Sequence, residues 1–515
     1  MVLRAAPATR CPKGIVLAAG GKAAYVFRTC HRNPPKYSEG ELMRTKIIAT
    51  LGPASNNYDT MKAMVEYGVR IFRLNFSHSD AATFKPTVEL IRKVEADTGI
   101  PVTVMGDLCG PKIRINEIVG SPVQVKRGDL LSLGLPDMEG KASALPFVPL
   151  DMPELLVGLA VGMPVSLSDG MLQFIVTKVN VADRLFEMEA KNSGVLTSKK
   201  GIAFPGKFHP MPALTAKDKK DLHEGMDIGL DAVALSFVQT MDDLKDIRAE
   251  IEKHGRWIPV VAKIERQNAV DNLDDILKLA DVIMVARGDL GLECPLSAVP
   301  VIQKRIIRAC RHAQKGVIVA TQMLLSMVNN PLPTRAEAAD VANAMLDGAD
   351  CVMLSEETAM GSYPVEAVKF ISEIAAEAEP YYIERMKGPF APKPEKNPAK
   401  YLAYAACLLA ENTEAKGLVP HSCSGATARL LSSRRPAQTI HAITCDKPVQ
   451  KQLNFFWGVT PHLGDPAITS HVARAEKFVQ NSPLFAPGQS VVITAGQPTP
   501  GQAATHTNEL KIYYK

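Results

Sequence analysis

This 515-residue chain has no run of eighteen or more apolar residues, so it offers no plain hydrophobic segment that could span a bilayer, and no membrane is expected as a partner. It has no CxxC pair, and its nine cysteines (residues 11, 30, 109, 294, 310, 351, 407, 423 and 445) are scattered singly. In a chain of this length the pattern argues against a zinc ribbon or a disulfide scaffold and fits reduced thiols in a cytosol. No GxxxxGK[ST] segment is present, which excludes a P-loop nucleotide site. An excess of one charge is also missing from most of the molecule. The formal net charge is +5, but residues 1–42 hold seven of the 59 basic residues and two of the 54 acidic ones. The body that follows carries 52 of each sign, and nothing in it points to nucleic acid.

The basic, acid-poor stretch 1–42 reads either as an organelle transit peptide or as sequence upstream of a true start at Met43, which opens the first patterned segment. The second reading is preferred, and with it a cytoplasmic protein.

What is present is rhythm. From Met43 on, eight apolar runs (46–52, 69–77, 101–108, 231–237, 258–265, 281–289, 316–323 and 350–357) alternate with stretches of helical spacing such as DNLDDILKLA and VPVIQKRIIRACRHAQK. Near-continuous apolar strands separated by helices imply parallel pairing with both faces covered, and eight such units predict a closed barrel. Over 120 residues separate the third run from the fourth, and their early part alternates apolar and polar residues between Gly and Asp turns. The expected fold class is α/β: a (β/α)8 TIM barrel with an inserted small β-barrel lid domain and a C-terminal α/β domain. The expected boundaries are an extension at 1–42, the barrel at 43–111 and 207–384, the lid at 112–206, a Pro-rich linker at 385–400 and a C-terminal α/β regulatory domain at 401–515.

Arg-Gly-Asp occurs twice. Arg127–Asp129 lies between alternating strand segments, where Gly128 most simply makes a turn. Arg287–Asp289 ends the sixth run, at the face where barrel active sites are built. Other runs also end in polar residues. The second brings Arg73, Asn75, Ser77 and His78, the third Asp107 followed by Lys112 and Arg114, the fifth Lys263 and Glu265, the seventh Thr321, and the eighth Ser355 and Glu357. Glu265 and Asp289 are hard oxygen ligands on neighbouring strands, suited to one Mg2+ completed by substrate and water. Gly288 allows close approach of the backbone to a ligand. Arg73 and Lys263 add positive charge opposite that ion, which makes a clamp for a transferring phosphoryl group.

From about Met43 to the C-terminus the chain resembles the pyruvate kinases. TKIIATLGPAS, RLNFSH, GPKIR, KKGIAFPG, AKIE, IMVARGDLG, ATQMLLSM, HSCSGATAR and the long, highly specific run Pro333–Val368 stand in that family's order and spacing. The resemblance implies Mg2+-dependent phosphoryl transfer from phosphoenolpyruvate to ADP, giving pyruvate and ATP at the last step of glycolysis. It implies Lys263, Thr321 and Arg73 as catalytic residues, with Lys263 stabilising the phosphoryl group in flight. Glu265 and Asp289 match the ligands of Mg2+, for which Mn2+ can substitute. Arg73, Lys263, Gly288, Asp289 and Thr321 match the phosphoenolpyruvate contacts. Asn75, His78, Arg114 and Lys200 match the nucleotide side, Lys200 from a lid that closes over ADP. A water relay through Thr321 and Ser355 is a candidate route for protonating the enolate carbon.

Many members read Asp-Thr-Lys-Gly-Pro-Glu where this chain has DLCGPK, and bind K+ with residues matching Asn75, Ser77, Asp107 and Leu108. Lys112 stands in place of the glutamate and supplies its own positive charge, so K+ is predicted not to be required. The segment LVPHSCSGATARL reads equally as a phosphate loop or as ordinary helix capping. The resemblance suggests a phosphorylated allosteric effector at Ser422, Ser424, Gly425 and Thr427, in a homotetramer. Thr334 and Glu337 have capping-box spacing, in a segment that in the family also meets a neighbouring subunit. Two other classes stay open on residues alone. One is a barrel lyase or aldolase using Mg2+ without nucleotide; the other is an adhesion module, which needs Arg287–Asp289 on an exposed loop.

Overall fold

The computed structural model describes residues 43–111, 113–168, 170–207, 211–496 and 506–515; the stretch 1–42 and Lys112 lie outside the described residues. All eight apolar runs contain a strand: β1 Lys46–Thr50, β2 Val69–Asn75, β3 Thr103–Asp107, β4 Ala232–Leu235, β5 Val260–Ile264, β6 Val282–Ala286, β7 Gly316–Ala320 and β8 Cys351–Leu354. They close in that order into a parallel barrel, β8 returning to β1 through Ile47↔Val352 and its neighbours. The runs are apolar throughout because both strand faces are covered. Ile48, Ile71, Met105, Val261, Met284 and Ile318 fall in one core, in the lumen. The alternate residues Ile47, Phe72, Val104, Val260, Ile283 and Val317 fall in another, packed against the outer helices. The Thr334–Glu337 capping box forms at the start of helix Arg335–Asp347. Two more, Thr215–Asp218 and Thr240–Asp243, start helices Ala216–Ile228 and Met241–His254. Each satisfies N–H groups that a helix end otherwise leaves unpaired.

Between β3 and β4 the chain leaves the barrel at the carboxyl ends of its strands. It forms a six-stranded sheet, in the order Ile202–Ala203, Pro164–Leu167, Leu172–Asn180, Leu185–Ala190, Leu130–Gly134 and Phe147–Pro149, and a two-stranded one from Val123–Val125 and Gly194–Leu196. Leu131, Leu133, Phe174, Phe186 and Met188 give this insertion a core of its own. Arg127–Asp129 is a turn, as expected: Gly128 has φ 91° and the Asp129 carboxylate accepts the Lys126 N–H at 2.8 Å.

No helix or strand forms between Met386 and Pro398, the Pro-rich stretch. Beyond it β9 Leu418–His421, β10 Ile440–Thr444, β11 Val459–Leu463, β12 Ser490–Ala495 and β13 Glu509–Tyr514 form one sheet in the order β11-β10-β9-β12-β13, parallel except for β13. This C-terminal unit plugs the amino-terminal end of the barrel. Leu453, Phe455 and Phe456 belong to the same buried cluster as the lumen residues. The approach is close enough that a Cβ at Gly316 would meet the Phe455 carbonyl at 2.8 Å. Among the described residues no helix is long and apolar enough to cross a membrane.

Candidate active site

Side chains alternate along a strand, so a residue two places beyond a lumen-facing one also faces the lumen, now nearer the rim. Arg73 follows Ile71, Asp107 follows Met105, and Lys263 and Glu265 follow Val261, all three in the lumen cluster. The barrel therefore brings these four polar side chains to one place. Lys263 Nζ lies 3.2 Å from Asp107 Oδ1 and 3.0 Å from Glu265 Oε1, and donates to Ser236 Oγ at 2.7 Å. Arg73 donates from Nε to Asp107 Oδ2 at 2.7 Å and from Nη1 to Thr50 Oγ1 at 3.1 Å. Ser236 donates in turn to the Leu108 carbonyl at 2.7 Å. Neither Ser236 nor Thr50 stood out in the sequence. The same alternation finds both, because Ser236 follows Ala234 and Thr50 follows Ile48 on the lumen side.

The electrostatics of the cluster are those of a compact buried network. Burial works against a charged Lys263, but the carboxylates of Asp107 and Glu265 outweigh it and hold the ammonium well above the usual lysine range. Burial pushes Asp107 upward, yet Lys263 and Arg73 keep its carboxyl below the ordinary value. Glu265 moves the other way: burial raises it, and Asp289 adds to the rise against the pull of Lys263. Glu265 Oε2 also accepts the Phe237 N–H at 2.6 Å, from a residue in the left-handed region (φ 57°) just past β4.

Asp289 corrects one expectation. The apolar run 281–289 predicts a strand to its end, but β6 stops at Ala286 and Asp289 stands in the first turn of the short helix Arg287–Glu293. The next apolar residue, Leu290, is fully buried, and a helical turn is what returns it to the core. Asp289 and Glu265 line one cavity between barrel and insertion. The Asp289 carboxylate makes no hydrogen bond or ion pair among the described residues, and it adds to the repulsion felt by Glu265. Two carboxylates so placed fit a divalent cation such as Mg2+.

Arg287 is turned inward, not displayed. It pairs with Asp340 at 2.7 Å and donates to the carbonyls of Ala320 (3.2 Å) and Thr321 (2.7 Å). An adhesion tripeptide cannot work with its arginine so engaged. The carbonyls it holds end β7, where Thr321 and Gln322 both adopt positive φ, 71° and 53°. For a β-branched residue that is a strained conformation, of the kind found at functional sites. Gly288 N–H donates to Thr321 Oγ1 at 2.9 Å. A Cβ at Gly288 would come no closer than 3.7 Å to Thr321, so the protein itself leaves room there.

The remaining expected residues lie around this cluster. Asn75 Oδ1 accepts the Ser77 N–H at 3.1 Å, and the His78 side chain is exposed. Arg114 and Lys200 are exposed on the insertion, joined through their backbones: Arg114 bridges Gly201, and the Lys200 carbonyl accepts the Ile115 N–H at 3.0 Å. Among the described residues no hydrogen bond or ion pair links His78, Arg114 or Lys200 to the Lys263 cluster. Leu108 is buried. Ser355 N–H donates to Glu357, whose other oxygen accepts the Leu324 N–H at 3.0 Å, so Glu357 is a structural tie between two loops. In the C-terminal domain, Ser422 Oγ accepts the Thr427 N–H at 3.1 Å and Thr427 Oγ1 lies 2.9 Å from Thr507 Oγ1. Gly425, with φ 76°, caps helix Ala426–Ser432, and Ser424 is exposed.

Residues 42–368 match the family model described as pyruvate kinase, barrel domain, and residues 400–513 match that described as pyruvate kinase, alpha/beta domain. The chain is 40% identical to the pyruvate kinase of Agrobacterium vitis over 474 residues, covering 91% of this chain and 96% of that one. It is 39% identical to the pyruvate kinase of Mycobacterium intracellulare, covering 91% and 98%. With pyruvate kinase 2 of Synechocystis it shares 38% identity over 88% and 76% of the two chains.

Proposed function

The chain belongs to the pyruvate kinase family, and from that premise we propose that its barrel rim moves the phosphoryl group of phosphoenolpyruvate onto ADP. The observation that carries this reading is the placement of Lys263: a largely buried, firmly cationic ammonium shared among Asp107, Glu265 and Ser236, with Arg73 on the far side of Asp107. A phosphoryl group in transfer spreads negative charge over its outer oxygens, and fixed donors aimed at that charge lower the barrier. Lys263 turns one of its donors to such an oxygen. Arg73 uses Nε and Nη1 on Asp107 and Thr50 and keeps Nη2 for the phosphate. Glu265 and Asp289 would hold Mg2+, which when bound neutralises phosphate charge and polarises its oxygens. Gly288 leaves space for the substrate beside Asp289, and Thr321, fixed by the Gly288 N–H and by Arg287 on its carbonyl, faces the carbon to be protonated. Asn75, His78, Arg114 and Lys200 take the nucleotide, the last two from an insertion that closes over it and excludes water.

The same proposal has no requirement for K+. Lys112 supplies the charge, and Asp107 supports this: its oxygens are engaged by Lys263 and Arg73. The homotetramer and a phosphorylated effector at Ser422, Ser424, Gly425 and Thr427 belong to this reading. The test is pyruvate formation by the purified chain from phosphoenolpyruvate and ADP with Mg2+ in K+-free buffer. Turnover supports both the reaction and Lys112. Silence relieved by KCl keeps the reaction and rejects the lysine argument; silence in both buffers puts the lyase reading ahead.

A further inference from the structure

A second concave surface lies away from the rim. It is a groove with about 800 Å3 of room, between helices Leu273–Leu279 and Val299–Ala313, the Pro-rich stretch and the C-terminal domain. Arg305, Arg308, His312, Lys315, Lys393 and Arg434 line it. Two further lysines there are neutralised, Lys278 by Asp275 at 2.6 Å and Lys400 by Glu395 at 2.8 Å. Among the described residues none of the six has an ion-pair partner.

Chain stability does not ask for this. Arg305 and Arg308 share one helix face three residues apart, where like charges repel. The helix dipole favours cations in the last turn, which accounts for Arg311. It gives no account of Lys393 and Arg434, brought from other segments. Arg434 is fixed in the wall, donating to the Phe390 carbonyl at 3.1 Å, and Arg311 stacks 3.6 Å over the Phe390 ring. The crowding is felt at His312, which burial and the charges of Arg311, Lys393, Arg308 and Arg434 push down to about 4. Outside the first 42 residues the chain carries 52 charges of each sign, so this positive field is local and suits a compact anion better than a nucleic acid.

We propose that this groove binds a small phosphorylated molecule carrying two or more negative charges, at a site separate from the barrel rim and from the Ser422–Thr427 loop. The cationic wall takes the phosphates, and Leu277, Ala309, Ala313 and Pro394 offer an apolar floor to the rest.

The probe is inorganic pyrophosphate, titrated calorimetrically into the full chain in magnesium-free buffer. The variants are Arg305→Gln/Arg308→Gln and Asp274→Asn, all at exposed positions where folding is not at stake. The double variant should weaken one class of site at least about tenfold, because each arginine lost removes a charge-assisted contact. Asp274→Asn, which removes an acid from the rim of the groove, should tighten it, and added salt should weaken it. Equal binding by wild type and double variant overturns the proposal. So does a wild type whose binding is wholly abolished by Ser424→Ala/Thr427→Val. ADP and a sugar bisphosphate form the remaining arms. Tighter binding than pyrophosphate by one of them assigns the apolar floor to a base or to a sugar; equal binding by all three leaves the phosphates alone as the recognised group.

Discussion

A lysine in a barrel lumen works only if its surroundings hold it still and charged, and at Lys263 three groups do so. Asp107 and Glu265 are carboxylates and secure the charge; Ser236 is neutral and fixes direction. Removing the serine therefore separates orientation from charge. Ser236→Ala should lower kcat by roughly three- to tenfold, the worth of one hydrogen bond, with KM for ADP little changed and the fold intact. Steady-state kinetics with both substrates checks this, and an unchanged kcat would remove Ser236 from the mechanism. At this scale most of the site was legible. Arg73, Asp107, Lys263 and Glu265 announced themselves as charges inside apolar runs. Ser236 and Thr50 did not, since a small hydroxyl in a strand has ordinary structural uses and only its place in the alternation marks it.

The loops that end strands were less legible than the strands. Eight apolar runs gave eight barrel strands because burial on both faces leaves a continuous signature. Where β6 stops and a helix begins depends on what Leu290 and Arg287 reach, and those partners are set by the fold. Arg287 shows the consequence. Its letters suggest display, but its guanidinium holds together the ends of β6 and β7 and keeps Thr321 in a strained conformation. A strained backbone persists only while its surroundings enforce it. Arg287→Gln loses the pair with Asp340 and part of the grip on Thr321. The expected result is a fall in kcat/KM for phosphoenolpyruvate of about tenfold or more, with KM for ADP much less affected. Asp340→Asn should give a smaller loss in the same direction. If both substrates suffer equally, Arg287 supports the barrel generally and not the Thr321 loop.

Across the whole molecule the least legible feature is how the C-terminal domain is fastened to the barrel. Nothing in the segment SSRRP distinguishes Arg435, and its partner Asp350 lies 85 residues away. In the structure Asp350, just before β8, takes Arg435 at 2.9 Å, with both side chains almost wholly buried. It also accepts the N–H groups of Val317 at the start of β7 (3.0 Å) and of Trp457 (3.0 Å), over whose ring the guanidinium lies. One carboxylate thus joins two barrel strands to the domain that plugs the barrel, next to a hydrophobic core the two units share. Asp350→Asn keeps the shape and one acceptor oxygen but leaves Arg435 charged in a dry interior. Breaking a buried pair from one side costs about 3–5 kcal/mol, so thermal unfolding should begin at a clearly lower temperature. Asp350→Asn/Arg435→Met should recover part of that loss, because the double variant buries no unpaired charge. A single variant as stable as the wild type would mean that the apolar plug alone fastens the domain. The double variant's partial recovery would instead show the pair to be a specific latch, bridging the plug domain to β8, the strand that leads to Ser355 at the catalytic rim.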